Sequence, residues 1–144
     1  MPGRNAPINP DNYIKVKKHL VKGDVLDVGA GNVDQFEWDT LDINPDVSPD
    51  YLHNVEQGLP FENESYANVV CLHVLEHVSN DSFLVNELKR VARERAVAVV
   101  PVGERDDPDH ERTYMPKDLK RFDPDVVEKS EMGGLIDAVM VWKL

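Results

Sequence analysis

The stretch DVLDVGAG, positions 24–31, restricts the fold of this chain more than any other. Val25, Leu26 and Val28 make a short, largely β-branched apolar run that closes on Gly29 and Gly31, the signature of a buried strand feeding a tight turn. A strand apolar on both faces must lie inside a sheet with cover above and below. The two glycines then let the backbone pass close to whatever sits at the strand's carboxyl end.

The surrounding patterns supply that cover. In NPDNYIKVKKHLVKG, Asn9 can cap a helix, Pro10 suits its first turn, Tyr13, Val16 and Leu20 share a face, and Gly23 can end it. WDTLDINPD reads as a second strand stopped by Asn44 and Pro45, and PDYLHNVEQGLPF as a weaker third that ends before Gly58. YANVVCLHV is a fourth, continuously apolar strand that ends near His73. NDSFLVNELKRVARERA carries the stripe Leu84, Leu88 and Val91 of an amphipathic helix, and AVAVVPV is a fifth strand. After the polar loop GERDDPDHERTYM come a short helix at PKDLKRF and two closing strands, DVVEKS and LIDAVMVWKL, joined at Gly133 and Gly134 as an antiparallel hairpin. The expected fold is α/β, a Rossmann-like, doubly wound, mostly parallel sheet with an antiparallel C-terminal hairpin. Only NVDQFEWDT separates the first glycine turn from the second strand, so the first crossover helix is short or missing.

With 144 residues, the chain is expected to form one minimal domain over positions 1–144, with 1–8 flexible. Its 27 acidic against 16 basic residues give a formal charge of -11, which disfavours nucleic acid as a partner, because phosphate binding rests on basic patches. The lone Cys71 lies in an apolar run and suits a small core position in a reducing compartment. No apolar run resembles a signal peptide or a membrane span, so a cytoplasmic protein is expected. A homodimer or a partner-subunit role is left open.

In a parallel sheet, ligands sit outside the carboxyl ends of the strands. Those ends present DVGAGN, LDIN, HVLEH and PVGERDDPDH. Asp42, at the end of the second strand, has paired acceptors for two ribose hydroxyls. A dinucleotide fingerprint would need a third glycine where Asp34 stands, and an acidic residue roughly 20 positions on. Pyrophosphate is also a poor neighbour for Asp27 and Asp34, whereas a ligand bearing an amino group and a sulfonium suits them. S-adenosyl-L-methionine is therefore the expected cofactor.

VLDVGAGN, LDINPD, LPFENESYANVVCLHVLEHV and NELKRVARERAVAVVPV together resemble successive motifs of the class I S-adenosylmethionine-dependent methyltransferases, in the group with HVLEH segments. The resemblance implies methyl transfer to an acceptor, expected to be a small molecule. It also implies that Asp27, Gly29 and Gly31 surround the methionine part of the cofactor, Asp42 the ribose and Ile43 the adenine. Asn54 falls where the family often has an aspartate that contacts the adenine amino group, and Leu72 and His73 lie beside the transferable methyl. Val33 departs from the third glycine of the loop, Ala67 from the aspartate before the fourth strand, and RERA from the usual turn before the fifth. The short first crossover also permits an alternative, a non-catalytic methyltransferase-like scaffold or partner subunit.

His73, Glu76 and His77 have the H-x-x-E-H spacing of an inverted zincin. A zincin needs both histidines on one helix and a third ligand, but His73 directly follows a buried strand, so no metal is expected from that trio. Methyl transfer gains most from alignment and a dry site, and a general base is optional. If one acts, His77 and His110 are the candidates, with Glu76 third. The run ERDDPDHE lacks the glycine and spacing of a calcium loop and reads as solvated, which makes an exposed His110 the default. Trp38 and Trp142 are expected to pack in the core or at its rim.

Overall fold

The computed structural model describes residues 10–31 and 36–144. The capping role of Asn9, the flexibility of residues 1–8 and the departures at Val33 and Asp34 lie outside the described residues. Helix α1 (Pro10–His19) precedes strands β1 (Val25–Val28), β2 (Asp39–Asp42), β3 (Tyr51–Leu52) and β4 (Tyr66–Leu72). Helix α2 (Asp81–Val91) then leads to β5 (Ala92–Val102), and the chain closes with β6 (Val126–Met132) and β7 (Leu135–Lys143). The strands form one sheet in the order β3-β2-β1-β4-β5-β7-β6, parallel from β3 to β5 and antiparallel at β7. The described residues of the β1–β2 link, 29–31 and 36–38, are not helical.

Each helix covers one face of the sheet. Tyr13 and Val16 of α1 pack with Val25, Val70, Leu72, Val97 and Val99. Leu84, Val85, Leu88 and Val91 of α2 pack with Leu26, Val28, Val69, Cys71, Ala96 and Ala98 on the other. The alternation along β4 explains the split: successive side chains point to opposite faces, and all seven positions are buried. Asn80 caps α2 by accepting from the Phe83 N–H at 3.0 Å.

Three local differences from the sequence reading have physical causes. Helix α1 ends at His19 rather than at Gly23, because the Asn68 side chain takes over the next backbone groups: Val21 N–H donates to Asn68 Oδ1 and Asn68 Nδ2 donates to Val21 O, both at 2.9 Å. The third strand shrinks to Tyr51–Leu52, since Asn54 caps a 3-10 turn over Val55–Gln57. RERA is neither helix nor turn: β5 begins at Ala92, which is extended and pairs with Tyr66, and strand pairing of Arg95 with Asn68 outweighs helix propensity. The closing hairpin forms as expected at one end of the sheet, with β7 between β5 and β6. Its apolar run, buried from Asp137 to Trp142, demands two neighbours, whereas β6 alternates in exposure and takes the rim. Trp142 is in the core and donates to Phe122 O at 2.8 Å; Trp38 is half-buried and stacks on Phe36 with centroids 4.5 Å apart. PKDLKRF forms a helix, wound as 3-10 over Pro116–Phe122.

Candidate active site

The carboxyl edge of β1 and β2 is built around one carboxylate. Gly29 N–H and Ala30 N–H both donate to Leu41 O, at 2.7 and 3.2 Å, folding the glycine turn over the end of β2. Asp42 then pins that turn: Oδ2 accepts from Gly31 N–H at 2.8 Å and Oδ1 from Asn44 N–H at 2.9 Å. Gly29 and Gly31 both have positive φ, 72° and 63°. At Gly29 the crowding comes from the protein itself, since a Cβ there would meet Val74 Cγ2 at 2.4 Å. Asp27, two residues before Gly29, is buried. Ile43 is half-buried at the rim, and Asn54 Oδ1 is engaged by Glu56 N–H at 3.0 Å.

At the end of β4, Leu72 packs into the core on the α1 side, and His73 breaks the strand with φ of 58°. Residues 75–77 form a turn, not a helix, closed by His77 N–H donating to Val74 O at 2.9 Å. His73 and His77 therefore share no helical face, and the zincin arrangement is absent.

The loop after β5 is clamped onto that turn. Glu111 N–H donates to Glu76 O at 2.7 Å, Arg112 donates to the Leu75 and Ser79 carbonyls at 2.7 and 3.0 Å, and Tyr114 OH donates to Asp81 at 2.6 Å. Docking brings His110 against His77, with ring centroids 4.9 Å apart and planes at 79°. His110 is thus not the exposed loop histidine the sequence suggested: its side chain is 15% exposed. His77 Nδ1 lies 3.0 Å from Asp109 O, a bond in which the ring nitrogen must donate, so a neutral His77 keeps its lone pair on Nε2.

His73 faces two carboxylates, Nδ1 lying 3.4 Å from Glu76 Oε2 and Nε2 3.4 Å from Asp137 Oδ2. Burial works against the imidazolium, but bonds to Asp137 and Glu76 outweigh it and raise the pKa to about 9. Burial likewise works against the Asp137 carboxylate, and His73, Asn12 and Arg105 together hold it down to about 2. Asn12 Nδ2 donates to Asp137 Oδ2 at 2.9 Å, and Arg105 donates to Asp137 Oδ1 at 2.9 Å. Asp137, Asn12 and Arg105 were not among the expected site residues. The available signals were a single carboxylate inside the apolar run LIDAVMVW and an amide on the apolar face of α1.

A family profile described as "Methyltransferase domain" matches residues 26–100, which is about half of the 144-residue chain and runs from β1 to β5. The chain belongs to this methyltransferase-domain family. S-adenosylmethionine is accordingly the cofactor indicated for it. No curated protein sequence matches the chain significantly. Among solved structures, this methyltransferase-domain chain is similar to a SAM-dependent methyltransferase from Aquifex aeolicus, with 17% identity, a TM-score of 0.66 and coverage of 92% of this chain and 89% of that one. It is similar to the [4+2]-cyclase SpnF, with 10% identity, a TM-score of 0.72 and coverage of 92% and 80%. A third likeness is to 1,6-didemethyltoxoflavin-N1-methyltransferase from Burkholderia thailandensis, with 14% identity, a TM-score of 0.65 and coverage of 93% and 76%. At these identities the likenesses establish the shared fold. Each Asp42 oxygen uses one lone pair on a backbone N–H, from Gly31 or Asn44, and a carboxylate oxygen has a second acceptor position. No described helix is long and apolar enough to cross a membrane.

Proposed function

We propose that this chain is an S-adenosylmethionine-dependent methyltransferase acting on a small-molecule acceptor. The observation that carries the reading is Asp42, a buried carboxylate pinned by the glycine turn at the carboxyl edge of a sheet in this family. When bound, S-adenosylmethionine would supply a sulfonium methyl to an acceptor lone pair and leave as S-adenosylhomocysteine. Asp42 would hold the ribose hydroxyls, and the buried Asp27 just before the glycine turn would favour the cationic amino group. Ile43 would flank the adenine. Asn54 would meet its edge with the lone pair that the Glu56 cap leaves over. Leu72 and His73, where β4 ends, would wall the methyl side.

The acceptor would bind over His73 to His77 under the docked loop, where His77 and His110 are the candidate bases. The Asp109 bond supports His77, since it leaves Nε2 unprotonated on a neutral ring. The docked loop would also exclude water, favouring alignment of the acceptor with the methyl group. The cyclase among the similar folds warns that fold alone does not fix a reaction.

The test is calorimetric titration with S-adenosylmethionine and S-adenosylhomocysteine. Binding that weakens about tenfold or more in Asp42→Ala is expected, in line with a charge-assisted bond of about 1.5–3 kcal/mol. No heat at about 1 mM ligand would reject the reading and return the non-catalytic scaffold.

A further inference from the structure

The docked loop assembles a group that the linear motif does not. Glu76, His77 and His110 each offer one ligand atom, and these atoms all lie within 4.8 Å of one another. We propose that these three side chains form a binding site for a single divalent transition-metal cation of the zinc class.

Glu76 carries the first argument. It is 1% exposed, and its Oε1 makes no hydrogen bond with any described residue. A buried carboxylate oxygen without a donor is costly, and nearly all such atoms in folded proteins have a partner. The other oxygen, Oε2, faces His73 Nδ1 at 3.4 Å, so Oε1 is the atom left for a ligand. A cation answers that requirement better than a neutral donor, because it supplies the charge as well as the bond.

The histidines carry the second, independent argument. Metal-bound imidazoles characteristically donate their other ring N–H to a carbonyl or carboxylate, which fixes the tautomer and orientation. His77 has such a partner, its Nδ1 lying 3.0 Å from the Asp109 carbonyl, and a carboxylate oxygen, Asp107 Oδ2, stands 3.2 Å from His110 Nε2. His77 Nε2, the free nitrogen, lies 4.0 Å from Glu76 Oε2. His53, by contrast, uses Nε2 on Gly58 O, and no carboxylate group gathers around it.

The donor set selects the ion. Two imidazole nitrogens and one carboxylate oxygen suit zinc or its neighbours and leave a coordination position open, whereas calcium and magnesium prefer all-oxygen shells. With bonds of about 2.0–2.2 Å, ligand atoms around a tetrahedral ion stand about 3.3 Å apart, so the site must contract by no more than about 1.5 Å. His73 lies outside the set as a partner of the Glu76 carboxylate, so the ligands come from E-H of the motif plus a distant loop histidine. The site does not depend on the methyl-transfer reading, although it draws on the same two histidines. If both hold, the ion occupies the lone pairs of His77 and His110, and these rings then orient an acceptor through the ion instead of taking its proton.

The experiment uses the untagged full chain, stripped with a chelator and titrated with zinc chloride by calorimetry in the absence of any nucleoside. Cobalt(II) substitution provides a visible spectrum. One equivalent of zinc is expected, with an intense cobalt spectrum of low coordination number. His110→Ala and His77→Ala should each weaken uptake about 10- to 100-fold, while His19→Ala and His53→Ala leave it unchanged. His110→Ala lies in a loop, and its circular dichroism should match the parent. Absence of uptake, or uptake indifferent to both His77→Ala and His110→Ala, overturns the site. Either result is independent of cofactor binding, which the Asp42 titration reads separately.

Discussion

His73 Nε2 lies 3.4 Å from Asp137 Oδ2, an ion pair that ties the end of β4 to the first part of β7 across the intervening β5. Asp137 is 6% exposed and also receives Asn12 from α1 and Arg105 from the loop after β5. One carboxylate therefore joins four segments at the carboxyl edge. Removing one member of such a buried group leaves the other charges uncompensated, so Asp137→Ala should destabilise the fold by about 3 kcal/mol in urea unfolding. The Arg105→Ala, Asp137→Ala cycle should show non-additivity, and strict additivity would mean that the network carries no coupling.

The same carboxylate sets an acid limit. The folded Asp137 is held down to about 2, against about 3.9 for an unfolded aspartate. A depressed group contributes stability that is fully present above the unfolded value and is lost as pH falls through the folded one. Stability at this position should therefore decline between about pH 4 and pH 2, by on the order of 2 kcal/mol. Asp137→Asn should flatten that part of the stability profile. An unchanged slope in the variant would contradict the assignment.

The frame of this site could be read from the chain, and its closure could not. VLDVGAG and LDIN placed Asp42 and the two glycines correctly at the ends of β1 and β2, because a strand of period two and a glycine turn are local features. The Leu84, Leu88 and Val91 stripe likewise fixed the buried face of α2. The His77–His110 contact joins residues far apart in sequence. It depends on Arg112, Glu111 and Tyr114 finding carbonyl and carboxylate partners around residues 75–81, which no periodicity encodes. Asp137 was hidden for the same reason, since its partners Asn12, His73 and Arg105 come from three other segments. RERA failed differently: its composition favours helix, and only the partner strand β4 draws it into β5.

Gly29 is predicted to be a structural requirement before it is a cofactor contact. Its φ of 72° disfavours an L side chain, and the added methyl would fall 2.4 Å from Val74 Cγ2. Backbone strain of about 1–2 kcal/mol and overpacking of about 1–3 kcal/mol act together, so Gly29→Ala should lose about 2–5 kcal/mol in denaturant unfolding. Adding Val74→Ala makes room for the methyl, and the double variant should lose less than the sum of the single changes. A loss equal to or greater than the sum would place the cost elsewhere.

The clamp over the β4 turn should open in Arg112→Ala. Its guanidinium donates to the Leu75 and Ser79 carbonyls, and its charge also lies 3.5 Å from Asp81. These bonds hold the loop against the turn that carries Glu76 and His77, and bonds to a charged donor are each worth about 1.5–3 kcal/mol at most. Local opening is governed by such contacts more than by global stability, because the loop contributes mainly Tyr114 to the core. Hydrogen exchange at the Glu111 amide, which is bonded to Glu76 O at 2.7 Å, should therefore accelerate by about tenfold or more in the variant. The core amides of β4 and β5 should keep their protection. An unchanged rate at Glu111 would show that Tyr114 and its bond to Asp81 suffice to dock the loop, and that Arg112 does not hold His110 beside His77.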